Sequence, residues 1–344
     1  MAQSLRLLTV VILFLTVQIH SSSSDDVGCQ PFKPTPLSSI HCTKPKWTRQ
    51  ATTVAGTTRQ QESSNMQLSS PSGIFIDHYD NLFVADEGND RIQKLSIKSK
   101  NIGFTIAGGN GRGSALNQLK EPTHVYVDSV GSLFITDRGN LRVQKWFPGG
   151  LEGATIASGR AYSNHWFQGL TGNRKHLNEI YSSESIRGNG RIMRYPVVGG
   201  IDNAPTYATL LGFVNSIPGN LVLDECNNVY VVDSANGNIL KFRSGNSTGE
   251  QIASGFISPN DIALDAYGNL YIVERDTNRV QRLNVHAGTR ETIAGNEDGA
   301  RGNDNEHLNK PWSIAFDSHN NLYVSDKDNH RIQKFSFEEG DIYC

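Results

Sequence analysis

The chain has 344 residues, of which 32 are lysine or arginine and 34 are aspartate or glutamate, for a formal net charge of −2 at pH 7. A nearly neutral chain has no electrostatic surface for a polyanion, so we expect no nucleic-acid partner. Four cysteines are present without a Cys-x-x-Cys pair, which favours disulfides in an oxidising compartment over a zinc site.

The first 24 residues have the composition of a secretory signal peptide. Arg6 precedes the apolar run Leu7–Leu15, and the small polar stretch Ser21–Ser24 follows. At about 13 residues, the apolar segment is too short to cross roughly 30 Å of hydrocarbon, which disfavours the alternative of a membrane anchor. We therefore predict a secreted, extracellular protein without a membrane span. A proline-containing arm over residues 25–51 and a single domain over residues 52–344 follow the leader.

An internal repeat accounts for most of the remaining sequence. Five segments align without gaps, and each begins with a proline: Pro71, Pro122, Pro218, Pro259 and Pro311. Each has an aspartate six residues later: Asp77, Asp128, Asp224, Asp265 and Asp317. Each has a second acid nine residues further on: Asp86, Asp137, Asp233, Glu274 and Asp326. Five residues beyond the second acid come Arg91, Arg142, Asn238, Arg279 and Arg331.

Each copy has the pattern of three β-strands joined by tight turns. In the first copy, Ile74–Ile76, Leu82–Ala85 and Ile92–Leu95 are β-rich runs separated by turn residues. The first turn always has a residue that tolerates a positive φ, at Asp80, Gly131, Asn227, Gly268 and Asn320. A fourth strand follows four of the copies, at Thr105–Gly108, Thr155–Ala157, Gln251–Ala253 and Thr292–Gly295.

The number of repeats and the position of one strand predict a closed ring. The long gap between Pro122 and Pro218 holds a degenerate third copy, Ile180–Tyr195, for which Val197–Gly200 is the expected fourth strand. The last copy ends near Phe337 without a fourth strand, and Thr52–Gly56 supplies one from the N-terminal end. The predicted fold class is all-β, a six-bladed β-propeller of four-stranded antiparallel blades, closed by the N-terminal strand.

The polar residues that recur in every blade are interpreted as structural. Asp77 and its equivalents end the first strand, where a carboxylate accepts turn N–H groups. Asp86 and Arg91 flank the second turn and are expected to form an exposed ion pair of small energetic value. One glutamine recurs in the third strand of most copies and is expected to point outwards; these residues are Gln93, Gln144, Gln281 and Gln333.

Strand direction assigns the loops to two faces. Face one carries the loops before each proline and the turns between second and third strands; face two carries the first turns and the connections to the fourth strands. The long, irregular loops lie on face one, where binding sites are expected. Candidate partner-binding residues near blades three and four are Tyr162, His165, Trp166, Tyr207 and Phe213. The alternative is that they fill space left by the poor third repeat. Trp312 either lines the channel mouth or packs between blades.

The sequence from Pro71 to Gln93 resembles the NHL repeat, through Pro-x-Gly-Ile-x-x-Asp, Asn-Leu-Phe-Val-Ala-Asp and Asn-x-Arg-Ile-Gln. The resemblance covers about Thr52 to Phe337 and implies a propeller fold without specifying a function. The family includes the lyase half of the peptide-amidating enzyme, the propellers of TRIM-type ubiquitin ligases, bacterial receptor sensor domains and many secreted proteins. No RING-like cysteine pairs precede this propeller, so a ubiquitin-ligase-type propeller without its RING is a second, weaker alternative.

The resemblance to the amidating lyase implies histidines that hold zinc in the central channel. At matching offsets on the inner strands this chain has Gly73, His124, Asn220, Asp261 and Ser313, with one histidine. We predict no cofactor, while His124, Asn260 and Asp261 stay as channel candidates for a calcium or zinc ion. The favoured function is a monomeric extracellular module that binds a protein or a small ligand, and a metal-dependent propeller enzyme is the alternative.

Two kinds of covalent modification are predicted on face two. Asn246 begins the sequon Asn246-Ser247-Thr248 and is expected to carry an N-glycan. Strand direction places all four cysteines towards face two, and the favoured pairing is Cys42–Cys344 with Cys29–Cys226. Cys29–Cys344 with Cys42–Cys226 is the main competing arrangement.

Overall fold

The computed structural model describes residues 45–57, 64–97, 103–159, 165–172, 179–197, 208–214, 216–265, 268–285 and 287–339. The first strands are β1 (Lys46–Trp47), β2 (Thr52–Gly56), β3 (Pro71–Ile76), β4 (Asn81–Asp86), β5 (Arg91–Ser96), β6 (Gly103–Gly108), β7 (Pro122–Val127), β8 (Leu133–Asp137), β9 (Arg142–Trp146), β10 (Gly153–Ser158), β11 (His165–Gly172), β12 (Glu179–Ile186) and β13 (Asn189–Pro196). They are followed by β14 (Thr209–Val214), β15 (Pro218–Leu223), β16 (Val229–Asp233), β17 (Asn238–Phe242), β18 (Gly249–Ala253), β19 (Pro259–Leu264), β20 (Leu270–Glu274), β21 (Arg279–Asn284), β22 (Thr289–Gly295), β23 (Pro311–Phe316), β24 (Leu322–Asp326), β25 (Arg331–Phe335) and β26 (Phe337–Glu339).

These strands form six four-stranded antiparallel blades, as the sequence predicts. Blades one to five are β3–β6, β7–β10, β11–β14, β15–β18 and β19–β22, and blade six is β23–β25 with β2 as its outermost strand. Each inner strand contacts the inner strand of the next blade, including β23 with β3, so the blades surround a central channel. Helical structure in the described second turns consists of single 3-10 turns at Glu87–Asn89, Arg138–Asn140 and Lys327–Asn329.

The apolar core lies between neighbouring blades. Tyr126 and Phe134 of blade two, for example, pack in one cluster with Phe167 and Leu170 of blade three. Each blade is therefore covered on both of its surfaces, and the second strand of each blade is almost entirely buried. None of the described residues forms a helix that is long and apolar enough to cross a membrane.

Closure by the N-terminal strand is confirmed. β2 pairs antiparallel with β25, and Thr53 stands opposite Gln333 in this register. The Thr53 hydroxyl also donates to Gln333 Oε1 at 2.7 Å, so a side-chain contact reinforces the ladder. Residues more than 270 positions apart therefore share one blade, which removes the two sheet edges that an open fan of blades would expose.

The structure adds a second contact between the two ends of the chain. β1 pairs with β26, so residues of the predicted arm already belong to the propeller. Trp47 is buried, its indole N–H donates to the Asn320 carbonyl oxygen at 2.8 Å, and its ring lies 5.5 Å from that of Phe337 and 5.9 Å from that of Tyr271. This tryptophan thus attaches the N-terminal segment to blades five and six.

The interpretation of the first turns is confirmed. Asp80, Asn227 and Asn320 have φ values of 62°, 60° and 61°, and Gly131 and Gly268 occupy the same position with positive φ. Asp77 Oδ1 accepts the backbone N–H groups of Tyr79 at 2.9 Å and Asn81 at 2.8 Å. The aspartate therefore stabilises the turn, which explains why a carboxylate recurs at this position in five blades.

The ion pair across the second turn also forms, but the expectation that it is exposed is wrong. Arg91 Nε donates to Asp86 Oδ2 at 2.7 Å, and both side chains are buried. The loop before Pro71 covers the pair, because Ser69 N–H donates to Asp86 Oδ1 at 2.7 Å and Arg91 Nη2 donates to the Gln67 carbonyl oxygen at 2.9 Å. The buried pair therefore anchors the loop before Pro71, which connects two blades.

The expected outward orientation of the recurrent glutamines is wrong as well. Gln93, Gln144 and Gln333 are completely buried, and Gln281 is nearly so. A third strand has a neighbouring strand on either side and packing on both blade surfaces, so its alternation of polar and apolar residues does not mark a solvated side.

Blade three differs most from its prediction. Its fourth strand is β14, Thr209–Val214, which pairs with β13; Val197 lies beyond the end of β13, and residues 198–200 lie outside the described residues. Its inner strand is β11, so His165, Trp166 and Phe167 belong to a strand and not to a face-one loop. Apolar composition identifies a segment that is able to form a strand, but only hydrogen bonding to β13 decides which segment does so.

Candidate functional site

Polar side chains at one level of the inner strands connect the blades around the channel. Asp261 is buried and accepts hydrogen bonds from Asn220 Nδ2 at 2.5 Å, from Ile262 N–H at 2.8 Å and from Ile314 N–H at 2.9 Å. Burial raises the pKa of the Asp261 carboxyl, and hydrogen bonds from Ser313 and Asn220 oppose that rise. Asp261 therefore joins blades four, five and six.

His124 occupies the equivalent position in blade two but makes no such contact. The residue is buried, and neither ring nitrogen has a hydrogen-bond partner among the described residues. Burial, with a smaller contribution from the positive charge of Lys327, lowers the pKa of His124 to about 3. The imidazole is therefore neutral across the physiological pH range.

The channel contains a polar cavity of about 340 Å³. His124, Asn220 and Asp261 line it at the level of the inner strands, and Asp224 and Asn227 line it in the first turn of blade four. Because first turns lie on face two, the cavity extends from the inner-strand level towards that face. A volume of this size suits a small polar molecule.

Of the three channel candidates for a metal ion, His124 and Asp261 line the cavity. The oxygens of Asp261 already accept hydrogen bonds from three blades, and Asn260 Nδ2 donates to the Trp312 carbonyl oxygen at 2.8 Å. Within the described part of the chain, no group of three His, Cys, Asp or Glu side chains has the arrangement of a metal site.

Face one carries a surface pocket at the predicted partner site. The pocket has a volume of about 410 Å³ and is lined by Arg138, Trp166, Gln168, Ser185, Arg187 and Ile217. Trp166 is 38% exposed and Ile217 is 46% exposed. Arg138 Cζ lies 5.4 Å from the centroid of the Trp166 ring, within the range of a cation–π interaction. Blades two, three and four all contribute to the pocket.

The other candidates for this surface are distributed differently. Phe213 is 64% exposed but lies on β14, at the outer strand of blade three and not in a face-one loop. Trp312 is half-buried, with Lys327 Nζ 3.9 Å from its ring centroid, and thus lies among face-one charges. Tyr162 and Tyr207 lie outside the described residues.

His165 does not belong to the exposed surface. It is buried, and its Nε2 lies 2.7 Å from Glu184 Oε2. Glu184 is also bonded by Arg191 Nε at 3.0 Å and by the hydroxyl of Tyr195. This cluster takes the place of the acid–arginine pair of blades one, two, five and six. Because the spacing between acid and arginine is seven residues here instead of five, the sequence repeat did not reveal it.

Sequence reasoning missed every side chain of this pocket except Trp166, namely Arg138, Gln168, Ser185, Arg187 and Ile217. Arg138 directly follows the repeated acid Asp137, and Ile217 directly precedes the repeated proline Pro218. In every regular blade, the residue after the repeated acid and the residue before the repeated proline lie on face one. Variation at these two positions was therefore a signal in the sequence that could have identified Arg138 and Ile217.

Comparison with a model of the NHL repeat family gives a match over residues 308–335, which include β23, β24 and β25. The protein is a six-bladed propeller that contains an NHL repeat. The matched NHL repeat is blade six, and four further copies share its proline, aspartate and acid at the same offsets. No curated protein sequence matches the chain.

Solved structures with the same fold include a binding protein and enzymes. An auxiliary nutrient binding protein from Bacteroides thetaiotaomicron has a TM-score of 0.62 and 16% identity, over 86% of this chain and 78% of that chain. A gluconolactonase from Xanthomonas campestris has a TM-score of 0.60 and 12% identity, over 87% and 96%. Virginiamycin B lyase from Staphylococcus aureus has a TM-score of 0.54 and 14% identity, over 77% and 94%. At such identities the similarity establishes the fold alone.

Proposed function

We propose that this NHL-repeat propeller is an extracellular binding module that recognises a protein partner through face one. The observation on which the proposal rests is the pocket at Trp166, where an exposed indole and Ile217 lie beside two arginines. Tryptophan and arginine are the residues that most often dominate binding energy in protein interfaces. The extracellular location is proposed from the basic and apolar composition of residues 1–24.

The position of the pocket indicates that Trp166 binds a partner and does not serve only to stabilise its blade. The pocket lies where the repeat is least regular, beside blade three, whereas side chains repeated in every blade serve the blade itself. The nutrient binding protein from Bacteroides thetaiotaomicron has the same fold, which supports a binding role for such a propeller. Its ligand is not assigned to this chain.

The proposal is tested by selecting peptides from a random displayed library on the purified mature protein and measuring their affinities by fluorescence anisotropy. Trp166→Ala should raise Kd by about thirtyfold, as expected for an interface anchor worth about 2 kcal/mol. Phe104→Ala is the matched control, because Phe104 is 59% exposed on the outermost strand of blade one, and it should leave Kd unchanged within about twofold.

Stability separates an interface residue from a core residue. Since Trp166 is partly exposed, its replacement by alanine should lower the free energy of unfolding by no more than about 1.5 kcal/mol. An unfolded Trp166→Ala variant would show that the residue belongs to the core. Unchanged affinity in that variant, or a library that yields no binder, would equally contradict a binding site on this face.

A further inference from the structure

Charged and aromatic side chains on face one form a continuous chain of contacts. Arg275 Cζ lies 5.9 Å from the centroid of the Trp312 ring, and Lys327 Nζ lies 3.9 Å from the same centroid. Lys327 Nζ also donates to Glu87 Oε2 at 2.7 Å. Glu87 Oε1 in turn lies 3.9 Å from Arg138 Nη1.

The chain of contacts then reaches the pocket of the proposed binding site, because Arg138 Cζ lies 5.4 Å from the Trp166 ring centroid. We call this set the face-one arc; it consists of Arg275, Trp312, Lys327, Glu87, Arg138 and Trp166. The arc passes through blades five, six, one, two and three in spatial order.

The repeat explains why these side chains meet. Four members directly follow the repeated acid of their blade: Glu87, Arg138, Arg275 and Lys327. Because the acid is buried at the end of the second strand, the next residue begins the second turn on face one. The sequence is free to vary at that position, and it places cations in three of the blades. In blade four the residue is Ser234.

Positive charge exceeds negative charge along the arc. Arg138, Arg275 and Lys327 face one carboxylate within it, that of Glu87, which Lys327 already binds. The neighbouring groups are Arg187 in the Trp166 pocket and Lys310, whose Nζ lies 2.6 Å from Asp276 Oδ1. Asp276 also lies 3.2 Å from Arg275 Nε. The carboxylate of Glu121 also interacts electrostatically with Arg138. Five cations therefore face three acids, although the whole chain has a net charge of −2.

We propose that the face-one arc binds an acidic peptide segment of the partner, an inference that rests on the proposed binding function. A guanidinium group that stacks on an indole keeps its N–H edge free, and that edge matches a carboxylate in a bidentate geometry. The side chains of Arg138 and Arg275 are more than a third exposed, so a ligand has access to them. The cations are spread over several blades, which suits a linear segment with several carboxylates better than one compact anion.

The contacts within the arc also lower the cost of binding. Each ring and each ion pair restricts a long cationic side chain before the ligand arrives, so less conformational entropy is lost on association. Electrostatic attraction between the arc and an acidic segment should also accelerate association and weaken as salt screens it.

The test uses two labelled peptides of twelve residues, one that alternates glutamate and glycine and one with glutamine in place of each glutamate. Anisotropy at 50 and 200 mM salt should show binding of the glutamate peptide, loss of affinity at higher salt, and no binding of the glutamine peptide. Arg138→Glu should weaken binding of the glutamate peptide by about tenfold or more. Arg138→Gln should give a smaller loss in the same direction.

Arg243→Glu is the control with the same change in charge. Arg243 lies between β17 and β18, on the side of face two, and is 62% exposed. This variant should change affinity by less than about twofold, because the solvent screens charges at that distance. If Arg138→Glu and Arg243→Glu lost affinity for the glutamate peptide equally, net charge alone would explain the binding, and the proposal would be overturned.

Other outcomes separate this inference from the proposed function. Equal binding of the glutamine and glutamate peptides, or tighter binding of a single-stranded oligonucleotide than of the glutamate peptide, would overturn recognition of acidic peptides. If library-selected neutral peptides nevertheless lost affinity in Trp166→Ala, the binding face would stand and only its chemistry would be wrong.

Discussion

At the scale of single residues, the same buried position of the repeat has different partners in different blades. Asp261, on the inner strand of blade five, accepts hydrogen bonds from three blades, whereas His124 at the equivalent position of blade two has no partner among the described residues. An imidazole that is buried without a partner must stay neutral, because the charged form would lose its hydration without compensation.

The stability of the protein should therefore depend on the protonation of His124. The pKa of His124 is about 3 in the folded state, against the ordinary value of 6.5, so only the unfolded chain binds a proton between these values. Stability should fall as the pH falls, by about 2 kcal/mol between pH 6.5 and pH 5 from this residue alone. In His124→Asn that contribution should disappear, which urea denaturation at the two pH values measures.

His319→Asn is the control, because His319 lies exposed in the first turn of blade six. It should retain the pH dependence of the unmodified protein. If His124→Asn retained it too, the buried imidazole would not be the source of the acid sensitivity.

At the scale of structural elements, the repeated acid and arginine connect a turn of one blade to the loop that enters the blade. Arg331 is buried and donates to Asp326 Oδ2 at 2.7 Å and to carbonyl oxygens of the preceding loop, at Asn303 with 2.9 Å and at His307 with 3.1 Å. Asp326 Oδ1 accepts the N–H of Asn309 at 2.6 Å. One ion pair therefore satisfies backbone groups in a loop without regular secondary structure.

Removal of Arg331 should be costly for this reason. Arg331→Ala leaves Asp326 buried without its cation and leaves loop carbonyls without donors, so the free energy of unfolding should fall by about 3–5 kcal/mol. Blade four offers a natural control, because Asn238 occupies the same repeat position without the guanidinium group. Asn238→Ala should cost about 1 kcal/mol or less in the same denaturation experiment. Similar losses in both variants would show that the pair contributes little.

In blade three, a different group of side chains replaces the acid–arginine pair. Its strands β11, β12 and β13 have eight residues each, longer than the five or six typical of the other blades, and its acid is Glu184. The longer side chain of glutamate reaches Arg191, His165 and Tyr195 inside the blade. The cluster buries His165 and thereby leaves the next residue, Trp166, on the opposite surface of the strand.

At the scale of the whole molecule, the two ends of the chain meet twice. β2 completes blade six, and β1 pairs with β26 outside it, with Lys46 opposite Glu339. The side chain of Trp47, on β1, packs against aromatic rings of blades five and six. These non-covalent contacts hold the two ends of the described chain together.

The predicted Cys42–Cys344 disulfide involves two residues outside the described part of the chain, so it stays a prediction. Cys226 lies in the first turn of blade four on face two, as predicted, while the other three cysteines lie outside the described residues. Asn246 is exposed between β17 and β18, and its N-glycan likewise stays a prediction.

Peptide mapping of secreted protein without reduction should identify a Cys42–Cys344 peptide together with a Cys29–Cys226 peptide. In the chain-entropy model, a bond that closes nearly the entire chain contributes at most about 5 kcal/mol to stability. A variant with serine at both Cys42 and Cys344 should therefore unfold at lower denaturant concentration. Free thiols at these two positions in the secreted protein would contradict the Cys42–Cys344 disulfide.

The sequence by itself determined the number of blades, the closure by Thr52–Gly56 and the purpose of the recurring aspartates. These features are local or periodic: a turn that requires a positive φ at Asn320, or an aspartate that caps it, leaves the same signal in each repeat. Trp166 was also named from the sequence as a candidate for the partner site, which stays a prediction, because it interrupts the repeat with an aromatic side chain.

Only the tertiary structure decided which polar side chains are buried, which strand completes blade three and what surrounds Trp166. Gln93 and Arg91 look like surface residues in the sequence and are buried because a neighbouring blade and its loop cover them. The contact between Lys327 and Glu87 joins residues 240 positions apart, and closure of the ring creates it. Residues that recur in every repeat stabilise the individual blade and can be identified from the sequence. The face-one arc instead depends on contacts between different blades, which only the tertiary structure shows.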